Sequence, residues 1–205
     1  MTDLDRALAD IDAMRRQMAQ ATQFRGYGPA ALAATGALAI VAALAQPHLV
    51  PDPAANVTGY LALWTATAVA SAMIIGLEAV RRSRQAHGGL ADDLLQAAAE
   101  QFLPAALAGV LMTAVLQRSA PEALWMLPGL WQIVLSLGMF AACRSLPGPI
   151  TAVAVWYLVS GLACLALAHG ANAFSPWAMG LPFGVGQTLA AILLAVCFGA
   201  ADDNA

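Results

Sequence analysis

Gln132 and Gln187 are the residues of this chain whose chemistry most needs explaining. Each follows a proline, Pro128 or Pro182, by about one turn, inside a stretch that is otherwise almost wholly apolar. A proline within a helix lacks the backbone N–H that would bond the carbonyl four residues earlier. In hydrocarbon that carbonyl needs another donor, and a neighbouring amide side chain can serve. The two glutamines therefore admit two readings. They hydrogen-bond between helices across a kink, or they line a small polar cavity in the outer half of the membrane, since interrupted helices mark transporter sites.

Few other groups could do chemistry. Glu78 lies one turn before Arg81 and Arg82, as an ion pair at a helix end would. Glu100 precedes an apolar run, where a carboxylate suits the helix dipole. His48 and His169 fall just beyond apolar stretches and His87 lies among charged residues, so no pair sits at matched depth to ligate haem. Cys143, Cys164 and Cys197 form no C-x-x-C pair and suggest packed thiols rather than a zinc site or a disulfide. All nine basic residues are Arg, which leaves no lysine for Schiff-base chemistry. No nucleophile elbow, phosphate loop, H-E-x-x-H helix or carboxylate pair occurs. The expectation is a protein without catalytic residues, cofactor or metal.

The elements that position these residues are set by solvent. Between Arg144 and Asp202 the chain runs 57 residues without Asp, Glu, Lys or Arg. About 20 apolar residues suffice to cross a bilayer as a helix, so this window alone holds two crossings. Charged residues make up 10% of the chain, against about 25% in soluble domains. With a net charge of -3 and no basic stripe, nucleic acid is not an expected partner.

Six crossings are predicted, near Pro29–Ala45, Val57–Leu77, Gln101–Gln117, Ala123–Cys143, Pro149–Ala168 and Trp177–Phe198. The third is the shortest. Turn formers from His169 to Pro176 divide the last two. With the N-terminus in the cytoplasm, eight of the nine arginines lie inside and only Arg118 outside, which meets the positive-inside rule. Both termini are then cytoplasmic, and Gln46–Asn56, Arg118–Glu122 and His169–Pro176 are short outer loops. Met1-Thr2-Asp3-Leu4-Asp5 is acidic and lacks the apolar core of a secretory signal.

Two further segments are amphipathic rather than spanning. Leu4, Leu8, Ile11, Met14 and Met18 recur at helical spacing, as do Leu90, Leu94, Leu95, Ala98 and Phe102. An internal repeat also emerges. Gln23-Phe24 precedes Pro29-Ala30-Ala31-Leu32-Ala33, and Gln101-Phe102 precedes Pro104-Ala105-Ala106-Leu107-Ala108. Ala62-Leu63-Trp64 and Ala123-Leu124-Trp125 mark the second helix of each pair, and a third copy is hinted at by Leu127-Pro128 and Leu181-Pro182.

The predicted fold is thus all-α: a polytopic six-helix transmembrane bundle of three helical hairpins with two cytoplasmic amphipathic helices. The parts are an amphipathic helix (1–25), a first hairpin (26–80), a loop and amphipathic helix (81–101), a second hairpin (102–144), and a third hairpin with a short tail (145–205). Close helix contacts are expected at Gly36, Gly76, Gly138, Gly161 and the Gly180-x-x-x-Gly184 pair.

The runs Phe24-Arg25-Gly26-Tyr27-Gly28-Pro29 and Trp125-Met126-Leu127-Pro128-Gly129-Leu130-Trp131-Gln132 resemble those of small, uncharacterised inner-membrane proteins of Proteobacteria. The resemblance covers most of the chain and is specific at those two runs. It implies a bacterial inner-membrane location and carries no activity with it.

The function expected is that of an accessory or regulatory membrane protein acting by association, with itself as a homo-oligomer or with a partner membrane protein. Leu4, Leu8 and Ile11 of the first amphipathic helix, and Gly180 and Gly184, form the candidate interface. The rival is a transporter or channel subunit for a small solute, with the polar cavity near Gln132 and Gln187.

Overall fold

A computed structural model describes residues 28–85, 90–142 and 148–202 of the 205. Among the described residues every regular element is helical. The long helices are α1 (Pro29–Leu49), α2 (Val57–Gln85), α3 (Leu90–Ser119), α4 (Leu127–Ala142), α5 (Thr151–Leu167) and α6 (Pro176–Asp202). Short 3-10 turns occupy Pro121–Met126, Gly148–Ile150 and Gly170–Asn172.

Local chemistry starts the helices where they start. Pro29 opens α1 after an extended Gly28, where its missing N–H costs nothing. Asn56 caps α2, its Oδ1 accepting the Gly59 N–H at 2.9 Å, and Asp52 braces the preceding turn by accepting the Ala55 N–H at 3.0 Å. Between α5 and α6 the chain reverses through Gly170 at φ 60° and Phe174 at φ 61°. The second value is unusual for a bulky residue, and the Phe174 ring and carbonyl are both held from outside the turn.

Six stretches are long and apolar enough to cross a membrane: Pro29–Leu49, Val57–Arg81, Phe102–Ser119, Pro121–Ala142, Gly148–Leu167 and Pro176–Cys197. This is a multi-pass helical membrane protein. Two sequence expectations change. The segment Leu90–Phe102 is not a separate helix but the first part of a continuous α3. Pro104 removes one donor from the ladder there, yet no glycine or turn former interrupts the run, so the helix carries on. The supposed outer loop from Gln46 also shrinks, because α1 runs through Pro47 to Leu49.

Each helix adjoins the next in chain order, and α1 closes the ring against α6. The two tightest seams are α1 with α6 and α4 with α5. Both depend on missing side chains. A Cβ at Gly36 would sit 3.1 Å from the Gly184 carbonyl oxygen. A Cβ at Gly129 would lie 2.7 Å from the Gly161 oxygen, and one at Gly161 2.8 Å from the Gly129 oxygen. In a bilayer, where the tails are as apolar as leucine, such close approach of backbones is what favours helix association. The slightest contact between consecutive helices is that of α2 with α3.

The end of the bundle that carries Pro29 is called the near end, and that carrying Leu49 the far end. Tyr60, Trp64, Leu127, Phe174 and Met179 form a core cluster toward the far end. Leu32, Ile150, Val153, Tyr157 and Leu194 form a second toward the near end.

Candidate functional site: a cleft inside the ring

All six helical segments of the ring surround a cleft of about 550 Å³. Trp64 and Met179 stand toward its far end; Ile150, Phe102 and Leu194 stand toward its near end. Between them α2 supplies Thr67, Ala68, Ser71, Ala72, Ile75 and Gly76, and α6 supplies Phe183, Gln187 and Ala190. The volume lies within the ~300–1,000 Å³ usual for small-molecule sites, which are apolar with a few placed polar groups. Ala68 and Ala72 are exposed as well as lining, so the cleft is half-open along α2. The looser of the two seams of α2 is that with α3. Both helices of that seam carry exposed apolar side chains: Val69, Met73 and Leu77 on α2, and Leu103, Leu107 and Leu111 on α3.

Polar groups in the wall are few. Thr35 donates its hydroxyl to the Leu32 carbonyl at 2.8 Å, and Thr67 donates to Leu63 at 2.9 Å. Such back-bonding satisfies the hydroxyl proton within its own helix and leaves the oxygen as an acceptor. The Ser71 hydroxyl and the Gln187 amide complete no such bond. Among the described residues that line the cleft, none is ionisable.

The structure separates the two glutamines that the sequence joins. Gln187 lines the cleft. Gln132 is 0% exposed and therefore lines no cavity that admits water. Its Nε2 donates to the Ala178 carbonyl at 2.8 Å and to the Pro128 carbonyl at 3.0 Å. Ala178 stands four residues before Pro182, so it is the carbonyl that this proline leaves without a donor. Gln132 thus repairs the ladder of α6 from α4. The expectation of one polar cavity shared by Gln132 and Gln187 is corrected accordingly: the proline's need holds one glutamine in the packing, and only the other lines the cleft.

Three more buried atoms around this seam have no partner: Gln132 Oε1, Ser136 Oγ and the Tyr157 hydroxyl. Tyr157 packs on Gly186, where a Cβ would come within 2.6 Å of its ring and hydroxyl. The Gln187 amide faces that hydroxyl without completing a hydrogen bond.

A third glutamine, which the sequence places at the edge of an outer loop, belongs to α1. Gln46 is 1% exposed inside α1. Its Nε2 donates to the Phe174 carbonyl at 2.8 Å and its Oε1 accepts the Trp64 indole N–H at 2.9 Å. One amide thereby ties α1 to α2 and to the turn before α6. The signal available in the sequence was a glutamine set directly after the apolar run of α1 and before a proline that a helix can absorb.

Gly180 and Gly184 are occupied within the chain. A Cβ at Gly180 would run into Ala43, and one at Gly184 into Ile40, both on α1. They present no face to a second subunit, because closing the ring requires them against α1. Gly138 likewise receives Ala105 of α3, whereas a Cβ at Gly76 meets nothing within 4 Å because it borders the cleft. Leu4, Leu8 and Ile11 lie outside the described residues.

At the far end Trp125 meets His169 edge to face, ring centres 6.1 Å apart. Among the described residues no three His, Cys, Asp or Glu side chains gather as a metal site would need. No protein-family model, curated protein or solved structure matches this chain.

Proposed function

We propose that this chain is a bacterial inner-membrane protein, both termini in the cytoplasm, that holds a small solute within the bilayer as a binding or transport subunit and transforms nothing. The observation that carries this reading is the 550 Å³ cleft enclosed by the ring, with the Gln187 amide in its wall. The wall offers amide and hydroxyl groups but, among the described residues, no acid, base or nucleophile pair. Consecutive helices adjoin around the ring, which supports threading as three hairpins. The arginine distribution supports the sidedness, with the near end inside. Oligomers form through surfaces other than Gly180 and Gly184.

Photolabelling with a small uncharged diazirine, on protein in lipid nanodiscs, tests the reading. Saturable labelling of α2 and α6 is expected. Gly76→Leu extends into the cleft from a position where an added Cβ meets nothing within 4 Å, and should abolish that labelling while the protein stays folded. Labelling that never saturates, or that Gly76→Leu leaves untouched, overturns the reading.

A further inference from the structure

We infer that the occupant of the cleft is an uncharged lipophilic molecule with one hydrogen-bonding group, a carbonyl or hydroxyl, at the middle of its length, and that Gln187 and Ser71 bind that group. The inference rests on the reading of the cleft as a solute site and adds which chemistry it accepts.

Depth comes first. Gln187 falls at the centre of the Pro176–Cys197 span, and Ser71 near the centre of Val57–Arg81. A Cβ at Gly36 would touch Gln187 Cβ at 3.2 Å, and Gln46 bonds Trp64. Counting along α1 and α2 from these contacts at ~1.5 Å per residue puts Ser71 within about one turn of the level of Gln187. The two uncommitted polar groups of the wall thus stand on different helices at a common mid-membrane level.

Polarity comes second. An amide or hydroxyl in an apolar medium is costly without a partner. Ser71 and Gln187 both border the cleft, and the Gln187 amide, which carries two donors and an acceptor, has among the described residues only the Tyr157 hydroxyl beside it. Thr35 and Thr67 have already given their protons to their own helices. The wall on either side is apolar, toward Trp64 and Met179 one way and Leu194 the other. A charged solute would meet no countercharge among the described lining residues.

Access comes third. The exposed Ala68 and Ala72 open the cleft sideways at mid-depth, on the helix that makes the slightest contact with its successor in the chain. A molecule already dissolved in the hydrocarbon enters there without passing through water. A phospholipid does not fit the same reading, because its polar head belongs at the interface and only its chains reach this level.

Competition against the diazirine label tests the inference. The competitors are a dialkyl ketone with its carbonyl at mid-chain, the alkane of the same length, and phosphatidylglycerol. The ketone should compete about 5- to 10-fold better than the alkane, the range expected of one or two hydrogen bonds formed away from water. Gln187→Leu should erase that preference, with folding of the variant read independently from its helical circular dichroism and its unfolding midpoint in detergent. Ser71→Ala, at a site that fills no packed core, should reduce the preference about twofold. Equal competition by ketone and alkane, with labelling still saturable, overturns the inference and leaves the cleft reading standing. Phosphatidylglycerol competing as well as the ketone overturns it in favour of bulk lipid. Failure of saturable labelling altogether defeats the cleft reading itself.

Discussion

The Gln132 side-chain amide donates at 2.8 Å to the Ala178 carbonyl, the one group of the α6 ladder that Pro182 leaves without a donor. The contact joins α4 to α6 across the interior of the ring. It explains how a proline is tolerated in the middle of a spanning helix, since the freed acceptor never faces hydrocarbon alone.

Gln132→Leu should therefore destabilise the protein by about 1–2 kcal/mol, the upper part of the range for side-chain hydrogen bonds in membranes. Pairing it with Pro182→Ala, which restores the backbone donor, should recover much of that loss. Ser136→Ala, one turn further along α4, removes a buried hydroxyl that has no partner and should cost under about 0.5 kcal/mol or stabilise. Unfolding in a mixed-detergent titration measures all three variants.

The Gln46 clasp is testable by a double-mutant cycle. Gln46→Leu and Trp64→Phe each break the 2.9 Å bond between α1 and α2. Gln46→Leu also releases the Phe174 carbonyl and should be the costlier, by roughly 1 kcal/mol. A coupling energy of about 0.5–1.5 kcal/mol is expected between the two sites. Additive effects would show that the bond contributes nothing.

The glycines should sort by what lies opposite them. Gly129→Ala and Gly161→Ala place a methyl within 2.7 Å and 2.8 Å of backbone oxygen, so the seam of α4 with α5 must open. Overpacking of this kind costs about 1–3 kcal/mol. Gly76→Ala meets nothing within 4 Å and should be neutral or stabilise by up to ~1 kcal/mol through helix propensity. The same unfolding titration separates the two classes.

Sidedness is open to a fusion experiment. Alkaline phosphatase joined after Val50, Ala120 or Ala171 should be active, and joined after Gln85 or Leu146 silent. Activity after Gln85 would turn the near end outward and reverse the orientation.

The length and positions of the crossings were legible in the sequence, because a bilayer acts on each stretch by its local hydropathy and a helix must be about 20 residues to span it. The starts near Pro29 and Val57 could be placed because uncharged apolar windows begin there, and the structure adds the local cause, a first-turn proline and the Asn56 cap. The need of the Pro182 ladder for an amide could be read too. Which glutamine met it could not, because Gln132 and Gln187 stand in similar positions after their prolines and only the register of α4 against α6 brings one to Ala178. Gln46 looks like a loop residue in the sequence because its partners, Trp64 and Phe174, are 18 and 128 residues away. Gly180 and Gly184 showed as a small-residue face, yet hydropathy does not say whose helix fills it. That choice, the closing of α1 onto α6 and the cleft left inside the ring are matters of steric fit between faces, and they exist only once the ring is assembled.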